Sequence, residues 1–399
     1  MIMKRILFLG AAPSQIPPIN YAKSQGHYVI TCDYLPENPG HKLAHEYYNV
    51  STTDKEAVLA LSQKLRIDGI VAYASDPAAP TAAYVAEKMG LPGNPYDAVE
   101  ILARKDYFRT FLANNGFNVP RSESFYELEE ARNWLNKIGV PAFIKPIDSS
   151  GSKGVTHILD YKDFDSAFEY ALSFSREKKV VVEQVIPRTG YQIDSDIFMS
   201  GGKVAFWIWG DQHQDKLCHP YAPIAISFPS VLNNDLQQKA KTQVESILIK
   251  LGFEAGAFNV EFVVDTNGEV WVIEIGPRNG GNLIPQVIKY ASGVDTISAT
   301  VDEAIGITFR EKNEYNLNGY WSSYIVHARE DGVFKELWLS DRVKNYIVEQ
   351  NIEFKPGDKV NKFSGSHDTL GTMIIKFPSM KEMLNMLDNM EHDIRVITL

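Results

Sequence analysis

A chain of 399 residues, 44% hydrophobic and 23% charged, is too long for one ordinary core and apolar enough to fill two or three, so it reads as a multidomain globular protein. A net charge of −10 and a pI near 5.5, without any cluster of Lys and Arg, exclude the basic face that nucleic-acid binding needs. Cys32 and Cys218 are too few for a disulfide framework, and no apolar run approaches the ~18 residues of a membrane span, so a cytoplasmic protein bound to no membrane is expected.

Residues 1–96 alternate strands and helices: RILFLG, a helix from about Gln15 to Gln25, HYVITCD, a helix from about Asp54 to Leu65, DGIVAYAS, and a helix from about Pro80 to Lys88. That order predicts a Rossmann-like α/β layer on a parallel sheet. Lys4-Arg5 before a short apolar run imitates a signal peptide, but the run suits a buried strand better. The turn Gly10-Ala11-Ala12-Pro13-Ser14 would aim helix amides at an anion; a tight turn beneath an unliganded helix fits it equally, because G-x-G-x-x-G is incomplete.

A second unit, 97–308, opens with a helix from Asp97 through Arg104, Lys105 and Arg109 to Asn114. Strand PAFIKP then leads through Asp148-Ser149-Ser150-Gly151-Ser152-Lys153-Gly154 into strand VTHIL. No G-K-[ST] follows and Lys145 precedes the glycines, so this is not a Walker A loop. A Gly/Ser loop between strands can fold over phosphates as a flap whose amides bind oxygens, with Lys145 as a fixed charge; a hairpin with a polar turn is the plainer reading. An apolar strand, VVVEQVIP, and two strands around Ser200-Gly201-Gly202 come next. Residues 210–230, with Asp211, His213, Lys216 and His219 but no metal-ligand spacing, read as a polar loop. An amphipathic helix from Asp235 to Leu251, capped by Gly252, reads as core packing.

The richest stretch is AFNVEFVVDTNGEVWVIEIGPRNGG, residues 257–281. Asn267-Gly268 suits a two-residue type I′ turn, and counting back by twos sets Glu261 across from Glu274 and Asn259 across from Gly276. The opposite face then pairs Val264 with Trp271, Phe262 with Ile273 and Val260 with Ile275. Two carboxylates face to face repel unless a proton or cation separates them. Mg²⁺ prefers one or two carboxylates completed by waters and phosphate oxygens, so Glu261 and Glu274 without His or Cys suggest a metal–nucleotide site, with Arg278 beyond it for an anion. Two solvated surface acids are the alternative. Helices to about Ala291 and from Asp295 to Ile305 close this unit, and 309–399 reads as a small α+β domain without a chemical constellation.

Taken in order, the Rossmann-like start, Lys105, Lys145 with its glycine loop, Glu183-Gln184-Val185-Ile186 and the Glu261/Glu274/Arg278 hairpin resemble an ATP-grasp ligase over the full length. Biotin carboxylase, the carbamoyl-phosphate synthetase large subunit and the L-amino acid ligases share that architecture. The resemblance implies ATP and Mg²⁺ (or Mn²⁺) as cofactors, with Glu261 and Glu274 as metal ligands. It implies Lys105, Lys145 and the Ser149, Ser150, Gly151, Ser152 and Gly154 loop on phosphates, adenine against the Gln184 carbonyl and Ile186 amide beside Glu183 and Val185, and Gln192 where the family usually places an acid near the ribose. Gly276 stands where many members have Asn, and Asn259 is the substitute metal ligand offered by the register. The implied chemistry is activation of a carboxylate as an acyl phosphate, with Arg278 and Lys145 as catalytic residues and an amine or similar nucleophile as acceptor. A bicarbonate-activating carboxylase and a non-catalytic ATP-binding module are the alternatives; a homodimer is left open.

Overall fold

The computed structural model of the chain describes residues 2–215, 217–218, 221–310 and 317–399, organised by four β-sheets. The first is parallel, in the order Glu46–Tyr48, Tyr28–Cys32, Arg5–Leu9, Gly69–Val71. Ile6, Leu7, Phe8 and Leu9 are all buried, as a strand covered by helices on both faces requires. Helices Ile16–Ser24, Lys55–Leu65 and Ala79–Met89 lie at the expected places, the second capped by the Asp54 carboxylate on the Ala57 amide at 3.1 Å. Strand order reverses beside Arg5–Leu9, so the loops after Leu9 and Val71 diverge and open a crevice at the strand ends.

The single helix expected from Asp97 to Asn114 is two, Tyr96–Ala103 and Lys105–Asn114. Arg104 between them is extended (φ −120°, ψ 120°), its guanidinium held by Asp106 at 3.1 Å and Glu177 at 2.6 Å. The break matters because it puts Lys105 at a helix start, with its amide on the Ile147 carbonyl at 3.0 Å.

A four-stranded antiparallel sheet follows, in the order Ser122–Phe125, Val180–Gln184, Ala142–Pro146, Thr156–Ile158, packed on helices Leu128–Ile138 and Phe164–Phe174. The largest sheet runs Val270–Gly276, Gly256–Val264, Gln192–Ser200, Gly210–Gln214, Pro223–Phe228, Tyr320–Val326, Gly371–Phe377, Ile347–Ile352, with Lys203–Trp207 paired aside on Gln192–Ser200. One expectation changes here. Residues 210–230 are not a polar loop: two of these strands lie within them, and His213 is buried with its ring nitrogens on Ser227 at 2.9 Å and Asp388 at 3.0 Å, while Lys216 and His219 lie outside the described residues. Residues 309–399 give three strands to this sheet. Their own helix Met380–Leu387 and the small sheet Lys359–Val360, Gly332–Leu339, Ile394–Thr398 complete that end. No helix among the described residues is long and apolar enough to cross a membrane.

Candidate active site

The hairpin forms, but by a different route from the one its sequence suggests. The Gly268 amide bonds the Asp265 carbonyl at 3.1 Å, the Asp265 amide bonds the Glu269 carbonyl at 3.0 Å, and among Asn267 and Gly268 only the glycine has positive φ (75°). This is a longer loop ending in a left-handed glycine, not a type I′ turn. It shifts the near pairs to Val264–Val270 and Phe262–Val272. A bulge at Ile273 then takes up the extra residue and restores Glu261–Glu274, Val260–Ile275 and Asn259–Gly276. The bulge turns Ile273 toward the cavity and leaves its carbonyl to accept from Arg109 Nη1 at 2.7 Å.

Asp194 on the neighbouring strand lies directly across from Glu261, making three carboxylates in a row with Glu274. Burial, with Asp194 and Glu274 alongside, pushes the Glu261 carboxyl well above the usual carboxylate range. Burial also pushes Asp194 up to about 6 and Asp196 up to about 7. Glu261 accepts from Gln192 Nε2 at 2.7 Å, so Gln192 touches one of the facing acids. The Asn259 amide nitrogen donates to Asp194 at 2.8 Å, Asp196 at 3.1 Å and the Ser195 carbonyl at 3.3 Å. Its nitrogen thereby braces two buried acids, with the amide oxygen on the other side.

The opposite wall is cationic. Lys145 is buried against Glu183, which also accepts from Arg109 Nε at 2.9 Å. Burial pushes the Lys145 ammonium down and Arg109 adds to this, while Glu183 opposes it. Burial works against the Glu183 charge too, yet the two flanking cations outweigh it and hold that carboxyl down to about 2. One carboxylate between two cations leaves a net positive wall, to which Lys105 adds; its Nζ reaches the Ser149 carbonyl at 2.8 Å and Glu274 at 3.5 Å.

Both walls border one cavity of about 680 Å³. Ser149, Ser150, Gly151 and Ser152 edge it, whereas Gly154 does not: a Cβ there would lie 2.8 Å from Phe174, so that glycine serves packing. Gln184, Val185, Ile186 and Gln192 also line it. The cavity is also lined by Ser14 and Asp76 from the crevice of the parallel sheet, by Gln212 and Gln214, and by Ser323 and Ile325 from the C-terminal residues. The Gly10–Ser14 turn presents no open amide nest, because the Gln15 side chain fills it and takes the Ala12 amide at 2.8 Å.

Arg278 also lines the cavity, paired through two hydrogen bonds with Asp76, Nε to Oδ1 at 2.7 Å and Nη2 to Oδ2 at 2.6 Å. Asp76, Arg109, Asp194 and Ser323 were missing from the sequence-based set. Arg109, four residues after Lys105 on one helix face, was the one with a readable signal.

The donor set fits Mg²⁺ carried by a nucleotide. No group of three His, Cys, Asp or Glu among the described residues encloses a metal by itself, but a facing pair of acids, one forced toward its neutral form, suits an ion completed by phosphate oxygens and waters. The chain matches the ATP-grasp domain model over residues 110–282. It is 27% identical over 405 residues to the formate-dependent phosphoribosylglycinamide formyltransferase of Methanocaldococcus jannaschii, covering 98% of this chain and 97% of that protein. It is 25% identical over 330 residues to the arginine-specific carbamoyl phosphate synthase large chain of Bacillus subtilis, covering 78% of this chain and 31% of that longer protein. Among solved structures, the L-amino acid ligase from Bacillus licheniformis superposes with a TM-score of 0.82 at 20% identity, over 99% of both chains.

Proposed function

We propose that this chain, which carries an ATP-grasp domain over residues 110–282, is an ADP-forming ligase that activates a carboxylate as an acyl phosphate for attack by an amine or similar nucleophile. The observation that carries this reading is the polarity of one cavity, with Lys105 and Lys145 along one wall, Arg109 behind them on Glu183, and Glu261 and Glu274 along the other. Such a site holds a polyanion and its cation together, and phosphoryl transfer needs positioning and charge neutralisation rather than a side-chain nucleophile. Glu261 and Glu274 would hold Mg²⁺, whose contribution when bound is to neutralise phosphate charge.

In this reading Lys145, kept ionised by Glu183, and Lys105 hold phosphate oxygens, and the Ser149–Ser152 amides close over them. The Gln184 carbonyl and Ile186 amide face adenine. Arg278 neutralises the acyl phosphate and the tetrahedral state that follows. Residues 97–308 form the nucleotide-binding domain, residues 1–96 contribute Ser14 and Asp76 to the acceptor end, and 309–399 contribute Ser323 and Ile325. The likeness to a formate-dependent formyltransferase and to an L-amino acid ligase supports a carboxylate as the activated group. The test is ADP release from MgATP in the presence of paired pools of carboxylic acids and amines, with Glu274→Gln as control. Stimulation by one pair in the wild type alone is expected; ADP release that no pair stimulates would favour a nucleotide-binding module.

A further inference from the structure

We infer that Asp76 is the positioning residue for Arg278, and that residue 276 is glycine because this pair occupies the space a side chain would need. The inference rests on the ligase reading above, since it concerns how the anion-holding guanidinium is aimed.

Arg278 has five N–H donors in a rigid plane. Two of them, on Nε and Nη2, meet the two oxygens of Asp76 at 2.7 and 2.6 Å, and one on Nη1 meets the Asn279 carbonyl at 3.1 Å. That leaves one N–H on Nη1 and one on Nη2 with no further partner among the described residues. With the Nε/Nη2 edge taken by Asp76, the Nη1/Nη2 edge at the end of the fork is the one left to grip a planar or phosphate anion. Asp76 therefore decides which edge of Arg278 is offered to the cavity that both residues line. Without it the side chain would be free to rotate about its long stem, and the charge would remain while the aim was lost.

Asp76 comes from the other end of the chain, 202 residues away, on the turn that follows the Gly69–Val71 strand. Ala74, two residues earlier, takes the left-handed conformation (φ 51°) that few residues other than glycine adopt, which redirects the chain into that turn. Gly276 faces the pair from the hairpin. A Cβ at that position would stand 2.8 Å from Asp76 Oδ1 and 3.0 Å from Arg278 Cζ, so any side chain there, including the Asn many ATP-grasp members carry, would push the carboxylate and guanidinium apart.

Two simpler roles predict different results. If Asp76 only neutralised Arg278, removing it would strengthen anion binding and spare kcat. If it only tied the first domain to the hairpin, removing it would lower Tm and spare kcat. The experiment uses the full chain, with substrate-stimulated ADP release for the acid and amine pair found by screening, MgADP affinity by calorimetry, and Tm. Asp76→Asn should lower kcat about 10- to 100-fold, with the MgADP Kd changed by no more than about 2-fold. Asp76→Ala should do the same, and adding it to Arg278→Ala should cause no further loss, because Asp76 acts through Arg278. Should Asp76→Ala fail to fold, Asp76→Asn keeps the shape and carries the test. Gly276→Ala, which crowds the same pair, should lower kcat in the same direction with the MgADP Kd changed by no more than about 2-fold. Wild-type kcat in Asp76→Asn, or the same fold-loss from Asp76→Ala with and without Arg278, overturns the inference alone. A wild type that no pair stimulates overturns the ligase reading and takes this inference with it.

Discussion

Glu183→Gln is the change whose cost can be worked out from the site. Glu183 is 2% exposed and accepts from both Arg109 and Lys145, so its charged form is held by two cations against the penalty of burial. The fall of its carboxyl from 4.5 to about 2 corresponds to about 3 kcal/mol favouring the folded, ionised state. Because the folded value lies below the unfolded one, this stabilisation is complete above the unfolded value and is lost as pH falls through the folded value. It should stand at about 3 kcal/mol at pH 7 and shrink to roughly half of that near pH 3. Glutamine cannot ionise, so the variant loses this contribution outright and leaves two buried cations facing a neutral amide. Its Tm should fall by roughly 4–7 °C at pH 7, with a smaller gap near pH 3. Thermal unfolding of both proteins across that pH series, followed by circular dichroism, tests the argument. A gap that stays constant with pH, or a variant as stable as the wild type, would refute the ionised triad.

Glu274→Gln should remove most Mg²⁺-dependent ADP release while leaving the circular dichroism spectrum intact, because it deletes one anionic ligand without changing size; wild-type turnover in the variant would remove Glu274 from the metal site. The Ser149–Ser152 loop should be cut more slowly by trypsin at Lys153 once MgATP is added, since its amides then have an anion to hold; equal cutting with and without nucleotide would count against a flap. Arg278→Ala should lower substrate-stimulated kcat by roughly 10²- to 10³-fold with nucleotide affinity almost unchanged, as expected for a contact made mainly in the transition state. Titrated ATP affinity and ADP release, measured side by side, separate that outcome from a plain loss of binding.

The pairing of Glu261 with Glu274 was legible in the sequence, yet the route to it was not. The dipeptide Asn267-Gly268 pointed to the shortest hairpin loop, whereas the chain closes a longer one with only Gly268 left-handed. A bulge at Ile273 takes up the residue the turn had displaced, so the pairs before it differ from the expected ones while those beyond it agree. Alternation alone cannot reveal a bulge, because a single extra residue resembles a change of face. What the bulge yields is a free carbonyl for Arg109, and Arg109 in turn holds Glu183. The same limit applies to Asp76: its partner is 202 residues away, and no local pattern in a chain reports a contact at that separation. The strands within 210–230 were hidden for another reason, since His213 and Asp211 look like surface residues until their partners Ser227, Asp388 and Ser230 are known.

The internal ion pairs also indicate which contacts a nucleotide would exchange. Lys145 and Arg109 are both committed to Glu183 deep in the wall, and Arg278 is held by Asp76 through two short bonds. Lys105 and Glu274 are only 3.5 Å apart, and the Glu274 side chain is 30% exposed, so theirs is the loosest of these pairs and the one nearest solvent. A weak, solvated pair costs little to open. In the proposed reading, MgATP would supply both halves with a better partner, a phosphate oxygen for Lys105 and a divalent cation for Glu274. In that reading Lys145 and Arg278 would meet their anions without leaving Glu183 and Asp76, and the exchange would fall on the two residues that bridge the cationic and anionic walls.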